Sequence, residues 1–277
     1  MAVLEAAARA QEKDDGAGHV TFLKVDNLSK HFGGLAAVSH FNCGLEKGEL
    51  VGLIGPNGSG KSTIFNVLTG IYKPTAGSIY LDEKDISRLR PDEIALLGIG
   101  RTFQNIRLFS QLSVLDNVKV GRHLRLRSSL FSAAFGLPGY RREEEEISDA
   151  AIKLLERVGL ARLTQEEARA LPYGLQRKLE IARALATEPK LLLLDEPAAG
   201  MNPTEMHELM DFILRIMEEF KLTVFLVEHH MRMIMGICPR IFVLDHGVTI
   251  AHGTPDEIQN DPKVIEAYLG VEEEEDA

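Results

Sequence analysis

The segment GPNGSGKST at 55–63 has the residue types and spacing of a loop that binds phosphate groups. Its glycines allow backbone N–H groups to point inward around phosphate oxygens, where a Cβ atom would clash. Lys61 can reach the β- and γ-phosphates of a nucleotide, and the Ser62 hydroxyl can ligate Mg²⁺. A glycine-rich turn that holds nothing is the alternative, but every fixed position of G-x-x-x-x-G-K-[ST] is present. The residues predicted to bind the phosphates are Gly55, Pro56, Asn57, Gly58, Ser59, Gly60, Lys61, Ser62 and Thr63.

Two acidic residues follow a run of four leucines in the segment LLLLDEP. Asp195 stands at the end of this predicted strand, where its carboxylate would hold Mg²⁺ mostly through water. Glu196 can orient and polarise a water that attacks the terminal phosphate. An isolated Asp-Glu pair is more often a solvated turn. Together with the loop at 55–63, the pair predicts a site that hydrolyses a nucleotide.

Continuous apolar runs predict the strands that position these residues. ELVGLIG at 49–55 leads into the phosphate loop, and residues 61–70 that follow have a helical pattern. The runs at 191–195, 223–228 and 241–245 are typical of strands buried on both faces of a parallel or mixed sheet. Helical patterns separate these strands. The order of elements therefore predicts an α/β architecture.

The middle of the chain, from about 105 to 187, has few strand patterns and several helical ones. The apolar residues Ile147, Ala151, Leu154, Leu155 and Val158 recur at helical spacing. This segment is therefore predicted to form a helical lobe inserted into the α/β core.

Composition excludes several classes of protein. The chain has 277 residues, of which 45% are apolar and 26% charged, so it is neither disordered throughout nor collagen-like. Two cysteines are too few for a disulfide framework. No apolar stretch approaches the roughly 18 residues of a membrane span, and no signal peptide is evident. The net charge of −10 disfavours nucleic acid as a partner. We expect residues 1–18 to be a flexible leader and 271–277 an acidic tail.

In their order and spacing, these segments resemble the ATP-binding subunits of ABC transporters over roughly 20–270. RTFQN is similar to the glutamine loop of that family, with Gln104 at Mg²⁺ and the attacking water. VEHH is similar to the switch segment, with His229 at the γ-phosphate, and Phe32 falls where an aromatic ring stacks on adenine. Taken singly, Gln104 could be a surface residue, His229 a capping residue and Phe32 a core residue.

The resemblance implies a P-loop NTPase core with a mixed or parallel sheet, an N-terminal antiparallel β subdomain and an inserted helical lobe. The ABC ATPase domain would span 19–270, with the helical subdomain at about 105–187. ATP and Mg²⁺ are the implied ligands. The implied catalytic residues are Glu196, His229 and Gln104. The implied Mg²⁺ ligands are Ser62, Gln104 and Asp195. Phe32 and Asp195 complete the ATP site.

LPYGLQRKLEIARALA at 171–186 resembles the signature motif, which in this family contacts the nucleotide of the opposite subunit. Pro172 replaces a serine there, so a hydroxyl that would bond the γ-phosphate is missing. Tyr173 and Leu175 replace a glycine and a glutamine, while Gly174 is retained. We expect function to persist, because the helix N-terminus still offers its amides to phosphate. Without the serine hydroxyl, the signature segment should bind the phosphate more weakly.

The resemblance further implies two ATPase subunits that close head-to-tail on ATP. Partners would be a second ATPase subunit (a paralogue or this chain itself), two transmembrane permease subunits and, through them, a substrate-binding protein. The complex would lie at the cytoplasmic face of the inner membrane. The helical lobe would meet the permease, and the basic and apolar residues of 122–142 would contact that subunit or lipid headgroups, or simply pack locally.

Several segments, among them DEPAAGMNP, GTPDEI and VIEAYLG, resemble one branch, the importers of branched-chain amino acids and their amide and urea relatives. A lipopolysaccharide exporter is an alternative. A non-transport ATPase that acts on DNA or ribosomes is less expected, because no second cassette, coiled-coil insert or zinc site appears. A nucleotide-regulated scaffold is disfavoured by the presence of both Glu196 and His229.

Overall fold

The computed structural model describes residues 21–125 and 138–275. The strands in these ranges are β1 (Leu23–Phe32), β2 (Leu35–Leu45), β3 (Leu50–Ile54), β4 (Ala76–Leu81), β5 (Lys84–Asp85), β6 (Ile99–Arg101), β7 (Leu191–Asp195), β8 (Thr223–Val227), β9 (Arg240–Asp245) and β10 (Val248–Gly253). The α-helices are α1 (Lys61–Leu68), α2 (Pro91–Leu96), α3 (Val114–Arg122), α4 (Pro138–Arg157), α5 (Tyr173–Leu185), α6 (Pro203–Phe220), α7 (Met231–Ile237), α8 (Pro255–Gln259) and α9 (Pro262–Glu275).

The larger sheet has the strand order β10-β9-β3-β8-β7-β6. Strands β9, β3, β8, β7 and β6 are parallel to one another, and the outermost strand β10 pairs antiparallel with β9. Every residue of β3, β7 and β8 is buried, as the continuous apolar runs predict for strands covered on both faces. Because these strands are parallel, their carboxyl ends meet at one edge. The phosphate loop follows β3 there, and Asp195 ends β7.

The smaller sheet is antiparallel, with the order β2-β1-β4-β5. Its central strand β1 pairs on one side with β2, where Leu23 faces Leu45, and on the other with β4. The β1–β2 register shifts repeatedly, which breaks the strict alternation of apolar and polar residues. Sequence periodicity therefore did not predict β2. The sheet confirms the antiparallel N-terminal layer of the expected fold.

Helices dominate the described part of 105–187. Of the residues predicted to share a helical face, Ile147, Ala151, Leu154 and Leu155 lie on α4 and Val158 directly follows it; all five are buried. All but Ile147 belong to the larger hydrophobic core. Helix α4 packs against α3, and α3 packs against α5. The α5 helix thus connects this layer to the loops at the edge of the larger sheet.

The predicted leader at 1–18 and most of the basic segment 122–142 lie outside the described residues. At the other end, α9 continues to Glu275, so residues 271–275 of the expected acidic tail extend a helix. The Asp261 carboxylate accepts a hydrogen bond from the amide of Lys263 at the start of α9. Within the described ranges, no helix combines the length and apolar character needed to cross a membrane.

Candidate nucleotide-binding site

The phosphate loop joins β3 to α1, and two of its glycines are required by close backbone approaches. Gly55 adopts a φ of 153°, and a Cβ atom there would collide with the carbonyl oxygen of Leu244. At Gly60, with a φ of 106°, a Cβ atom would lie 2.6 Å from the carbonyl oxygen of Ala37. Side chains at these positions would displace the loop from the sheet edge. The spacing of the motif therefore fixes the shape of the loop.

Lys61 is the first residue of α1 and is buried, with 6% of its surface exposed. Its ammonium donates to the carbonyl oxygens of Gly55 at 2.7 Å and Pro56 at 2.8 Å. Burial lowers the pKa of the Lys61 ammonium, while the negative charges of Glu196 and Asp195 act in the opposite direction. The charge is thus held inside the loop, where the phosphates of a nucleotide would lie.

An open pocket of about 400 Å³ lies in front of this loop. Residues of the loop and of the start of α1 line it together with Gln104 and Glu196. The lining residues are Leu35, Ala36, Ala37, Asn57, Gly58, Ser59, Gly60, Lys61, Ser62, Thr63, Gln104, Glu196 and His246. The pocket therefore brings backbone amides, a cation and a carboxylate together, as phosphate transfer to water requires.

The three predicted catalytic side chains lie together. The Gln104 amide donates to the Glu196 carboxylate at 2.7 Å, and Nδ1 of His229 lies 3.4 Å from the same oxygen. Glu196 has a φ of 45°, a left-handed conformation that is uncommon for a side chain of this type. Its amide donates to the carbonyl oxygen of Val227, which holds the strained turn in place. The roles of these residues remain predictions, but their geometry suits a base flanked by two polar groups.

Glu228 supports this arrangement and was missed as a functional residue. Its buried carboxylate accepts hydrogen bonds from the amides of Ala198, His229 and His230 at 2.7 to 3.3 Å. Nδ1 of His230 lies 3.0 Å from the same carboxylate. Glu228 thereby joins the turn after β7 to the turn after β8 and fixes the backbone of His229. The available signal was an acid directly after the buried strand TVFLV.

Arg101 is a second residue that sequence reasoning missed. Its guanidinium donates to Asp195 Oδ2 at 2.8 Å, and both side chains are more than nine-tenths buried. It also donates to Asn66 at 2.8 Å and to Thr69 at 3.2 Å, both on the α1 side. Asp195 is therefore held by a buried cation, and one of its oxygens is engaged. The parallel pairing of β6 with β7 creates this contact.

We expect Arg101→Met to lower the free energy of unfolding by about 3–5 kcal/mol, because the buried Asp195 carboxylate would lose its charge partner. Urea denaturation monitored by circular dichroism measures this change. Mg²⁺ with ATP should restore part of the loss, since the cation would supply the missing positive charge. Arg90→Met is the control, because the Arg90–Asp92 ion pair is exposed and its loss should change the midpoint little. Equal effects of the two substitutions would contradict the prediction.

The signature residues lie outside this pocket. Pro172 precedes α5, and Tyr173 is the first helical residue, as expected for a helix N-terminus at this segment. The amides of Leu175 and Gln176 bond back to the carbonyl oxygen of Pro172, so the first helical amides, at Tyr173 and Gly174, face outward from the helix end. A Cβ atom at Gly174 would meet open space. In one chain, these residues do not share a site with the phosphate loop.

Phe32, at the end of β1, is not part of the described lining of the pocket. Its ring is 41% exposed and makes an edge-to-face contact with Tyr72 at 5.1 Å between centroids. The ammonium of Lys30 lies 4.9 Å from the centre of the Phe32 ring. Phe32 is therefore not a core residue, and its predicted contact with adenine remains a prediction.

The parallel sheet, the loop at 55–63 and the two acids at the end of β7 define a nucleotide-hydrolysing protein of the P-loop class. The family described as "ABC transporter" matches residues 38–199. The chain belongs to this family and is the ATP-binding subunit of a transporter. It is accordingly an ATPase whose hydrolysis is coupled to transport. A second family, described as "Branched-chain amino acid ATP-binding cassette transporter", matches residues 248–274.

Curated relatives are similar along nearly their whole length. The high-affinity branched-chain amino acid transport ATP-binding protein LivG of Salmonella typhimurium is 47% identical over 248 residues, which cover 90% of this chain and 97% of the relative. The corresponding protein BraF of Pseudomonas aeruginosa is 44% identical with the same coverage. Both relatives are named as ATP-binding proteins of high-affinity branched-chain amino acid transport.

A solved structure supports the fold. The ADP conformation of MJ1267, an ATP-binding cassette of an ABC transporter, superimposes with a TM-score of 0.79. The two chains are 33% identical, and the match covers 91% of this chain and 99% of the other. The expected α/β fold with an antiparallel N-terminal sheet is confirmed.

Proposed function

We propose that this chain hydrolyses ATP to power the import of branched-chain amino acids. The catalytic half of the proposal rests on one observation, the contact of Gln104 and His229 with Glu196, which lines the same pocket as the phosphate loop. The substrate class rests on the C-terminal match at 248–274 and on the relatives LivG and BraF.

In this proposal each side chain has a defined task. Lys61 and the amides of the loop bind the phosphates of ATP, and Glu196 takes a proton from the attacking water. Gln104 and His229 orient that carboxylate and face the terminal phosphate. The oxygen donors of Ser62, Gln104 and Asp195 suit Mg²⁺, which prefers hard oxygen ligands and would neutralise phosphate charge. Asp195 also accepts a hydrogen bond from Arg101, so its carboxylate would serve both this guanidinium and the cation.

One chain supplies donors to only part of the terminal phosphate. The amides of Tyr173 and Gly174 lie on a separate surface, so a second subunit would complete the site with its own signature segment. ATP would then hold two subunits together, and hydrolysis would release them. This second subunit is a paralogue or another copy of the chain.

The permease would dock in an apolar groove of about 410 Å³ beside the glutamine loop. Phe103 and Phe109 contribute rings to this groove, and Arg183 provides a cation at its edge. Burial lowers the pKa of the Arg183 guanidinium, and the charge of Glu180 opposes this shift. A short permease helix with an apolar face and an acidic group would fit this lining. The complex would lie peripherally at the cytoplasmic membrane face, with a substrate-binding protein on the other side.

We expect the complex extracted from native membranes in mild detergent to contain two different permease subunits and a second, paralogous ATPase. Intact mass measurement identifies the components. Uptake of labelled leucine in cells should depend on this chain and fail with Glu196→Gln, while uptake of labelled urea should not change. Two copies of this chain with a lipid-exporting permease, or recovery only with ribosomes or DNA, would contradict the proposed function.

A further inference from the structure

Arg177 on α5 holds the backbone of the glutamine loop. It is fully buried, and its guanidinium donates to the carbonyl oxygens of Phe103 at 2.8 Å and Gln104 at 2.9 Å. Its charge is paired with Glu180 at 2.7 Å, one turn further along the helix. The other oxygen of Glu180 accepts from the amide of Arg107 at 3.2 Å. The pair on α5 therefore fixes the loop on both sides of Gln104.

Tyr173 connects the same guanidinium to the turn after β7. Its hydroxyl accepts a hydrogen bond from Arg177 at 3.2 Å and donates one to the carbonyl oxygen of Ala199 at 2.8 Å. Ala199 lies three residues after Glu196, and the Ala199 amide bonds to the Glu196 carbonyl. One hydroxyl thus joins the first residue of α5 to the two segments that carry Gln104 and Glu196.

A buried ion pair of this kind is not needed for stability, since apolar residues of similar volume are often as stabilising. Here Arg177 donates to two backbone carbonyls of one functional loop, the glutamine loop. It also donates to Tyr173, at the helix end that carries the signature. The signature segment is predicted to serve the nucleotide of the opposite subunit, whereas Gln104 and Glu196 serve the chain's own nucleotide.

We propose that Arg177 and Tyr173 are positioning residues that couple the two nucleotide sites of the ATPase dimer, a role that rests on the proposed function. A terminal phosphate that draws the side chain of Gln104 displaces its carbonyl, and Arg177 passes this displacement to α5. The N-terminus of α5 then shifts against the partner's nucleotide. In the reverse direction, a nucleotide bound at the signature fixes Tyr173 and, through Ala199, the turn that holds Glu196.

Tyr173→Phe tests the link with the least change, because it removes one hydroxyl and keeps the ring. In the intact transporter complex, we expect the turnover at saturating ATP to fall about 10-fold, as for the loss of a bridging hydroxyl. The ATP concentration at half-saturation should change less than about 2-fold, and the Hill coefficient should fall to about 1. Tyr80→Phe on β4, in the smaller sheet, is the matched control and should behave as wild type.

A second variant, Arg177→Met with Glu180→Met, removes both buried charges together and so leaves neither unpaired. It should keep its thermal midpoint and its binding of a fluorescent ATP analogue, and lose turnover by about 10-fold or more together with cooperativity. In a complex with an unaltered paralogue as the second ATPase, vanadate trapping of a photoreactive ATP should fall at the phosphate loops of both subunits, although only this chain is altered.

Two results would overturn the inference. One is wild-type turnover and cooperativity in both variants. The other is a parallel loss of thermal midpoint, nucleotide binding and turnover, which would leave Arg177 and Tyr173 a purely structural role. Lys61→Ala in the same complex separates this failure from failure of the proposed function. If wild-type hydrolysis does not depend on Lys61, the proposed ATPase site itself is wrong.

Discussion

Replacing Glu196 by glutamine is expected to lower steady-state ATP hydrolysis by at least about 100-fold while ATP binding stays intact. The Glu196 carboxylate lines the same pocket as the phosphate loop and accepts a hydrogen bond from the Gln104 amide at 2.7 Å. A glutamine of the same shape keeps the side chain in place but cannot take the proton of the attacking water. The phosphate loop, which is predicted to provide most donors to ATP, is unchanged, so affinity should remain within about 2-fold.

Phosphate release measures turnover, and equilibrium titration with a fluorescent ATP analogue measures binding. Glu218→Gln on the exposed face of α6 is the matched control and should leave both quantities unchanged. The Glu196→Gln protein should also accumulate as an ATP-bound dimer, detected by size-exclusion chromatography, because hydrolysis would no longer open the closed dimer. Normal steady-state hydrolysis by this variant would remove Glu196 from the role of general base.

Sequence alone predicted the parts of the site that are close together along the chain. The loop at 55–63 lies between a strand and a helix that the sequence also predicts. The spacing of its glycines along the chain therefore predicts the shape of the loop. Asp195 and Glu196 follow a continuous apolar run, and such a run is buried in a parallel sheet wherever it lies. Local patterns were therefore sufficient to place the loop at 55–63 and the two acids in the fold; their contacts with a nucleotide stay predictions.

Contacts between distant residues were not predictable in the same way. Arg101 meets Asp195 only because β6 pairs with β7, although the two residues are 94 positions apart. Arg177 reaches the carbonyl of Phe103 from 74 positions away. The one local signal was the spacing of Arg177 and Glu180, three residues apart on the same side of a helix, among apolar residues that include Leu179 and Ile181. Charged residues at core positions of a helix indicate a buried contact, but periodicity does not identify its partner.

Lys61→Ala is expected to abolish measurable hydrolysis and to weaken ATP binding by about 10- to 150-fold, the equivalent of one charge-assisted hydrogen bond of about 1.5–3 kcal/mol. The large effect on hydrolysis has a further cause, because the ammonium also bonds the carbonyl oxygens of Gly55 and Pro56. Without it, these carbonyls lose a donor and the loop loses the contacts that keep its amides directed at the phosphates.

The pH dependence of binding gives a separate test of Lys61. Burial lowers the pKa of its ammonium, and bound phosphates favour the charged form, so ATP binding should be strongest where Lys61 is protonated and weaken as the pH rises. Lys61→Ala should bind ATP weakly at every pH and lose this alkaline decline. Lys47→Ala, which removes an exposed ion pair with Asp82, is the control and should retain both the affinity and the decline. ATP affinity of Lys61→Ala within about 2-fold of wild type would mean that the backbone amides hold the phosphates without the lysine.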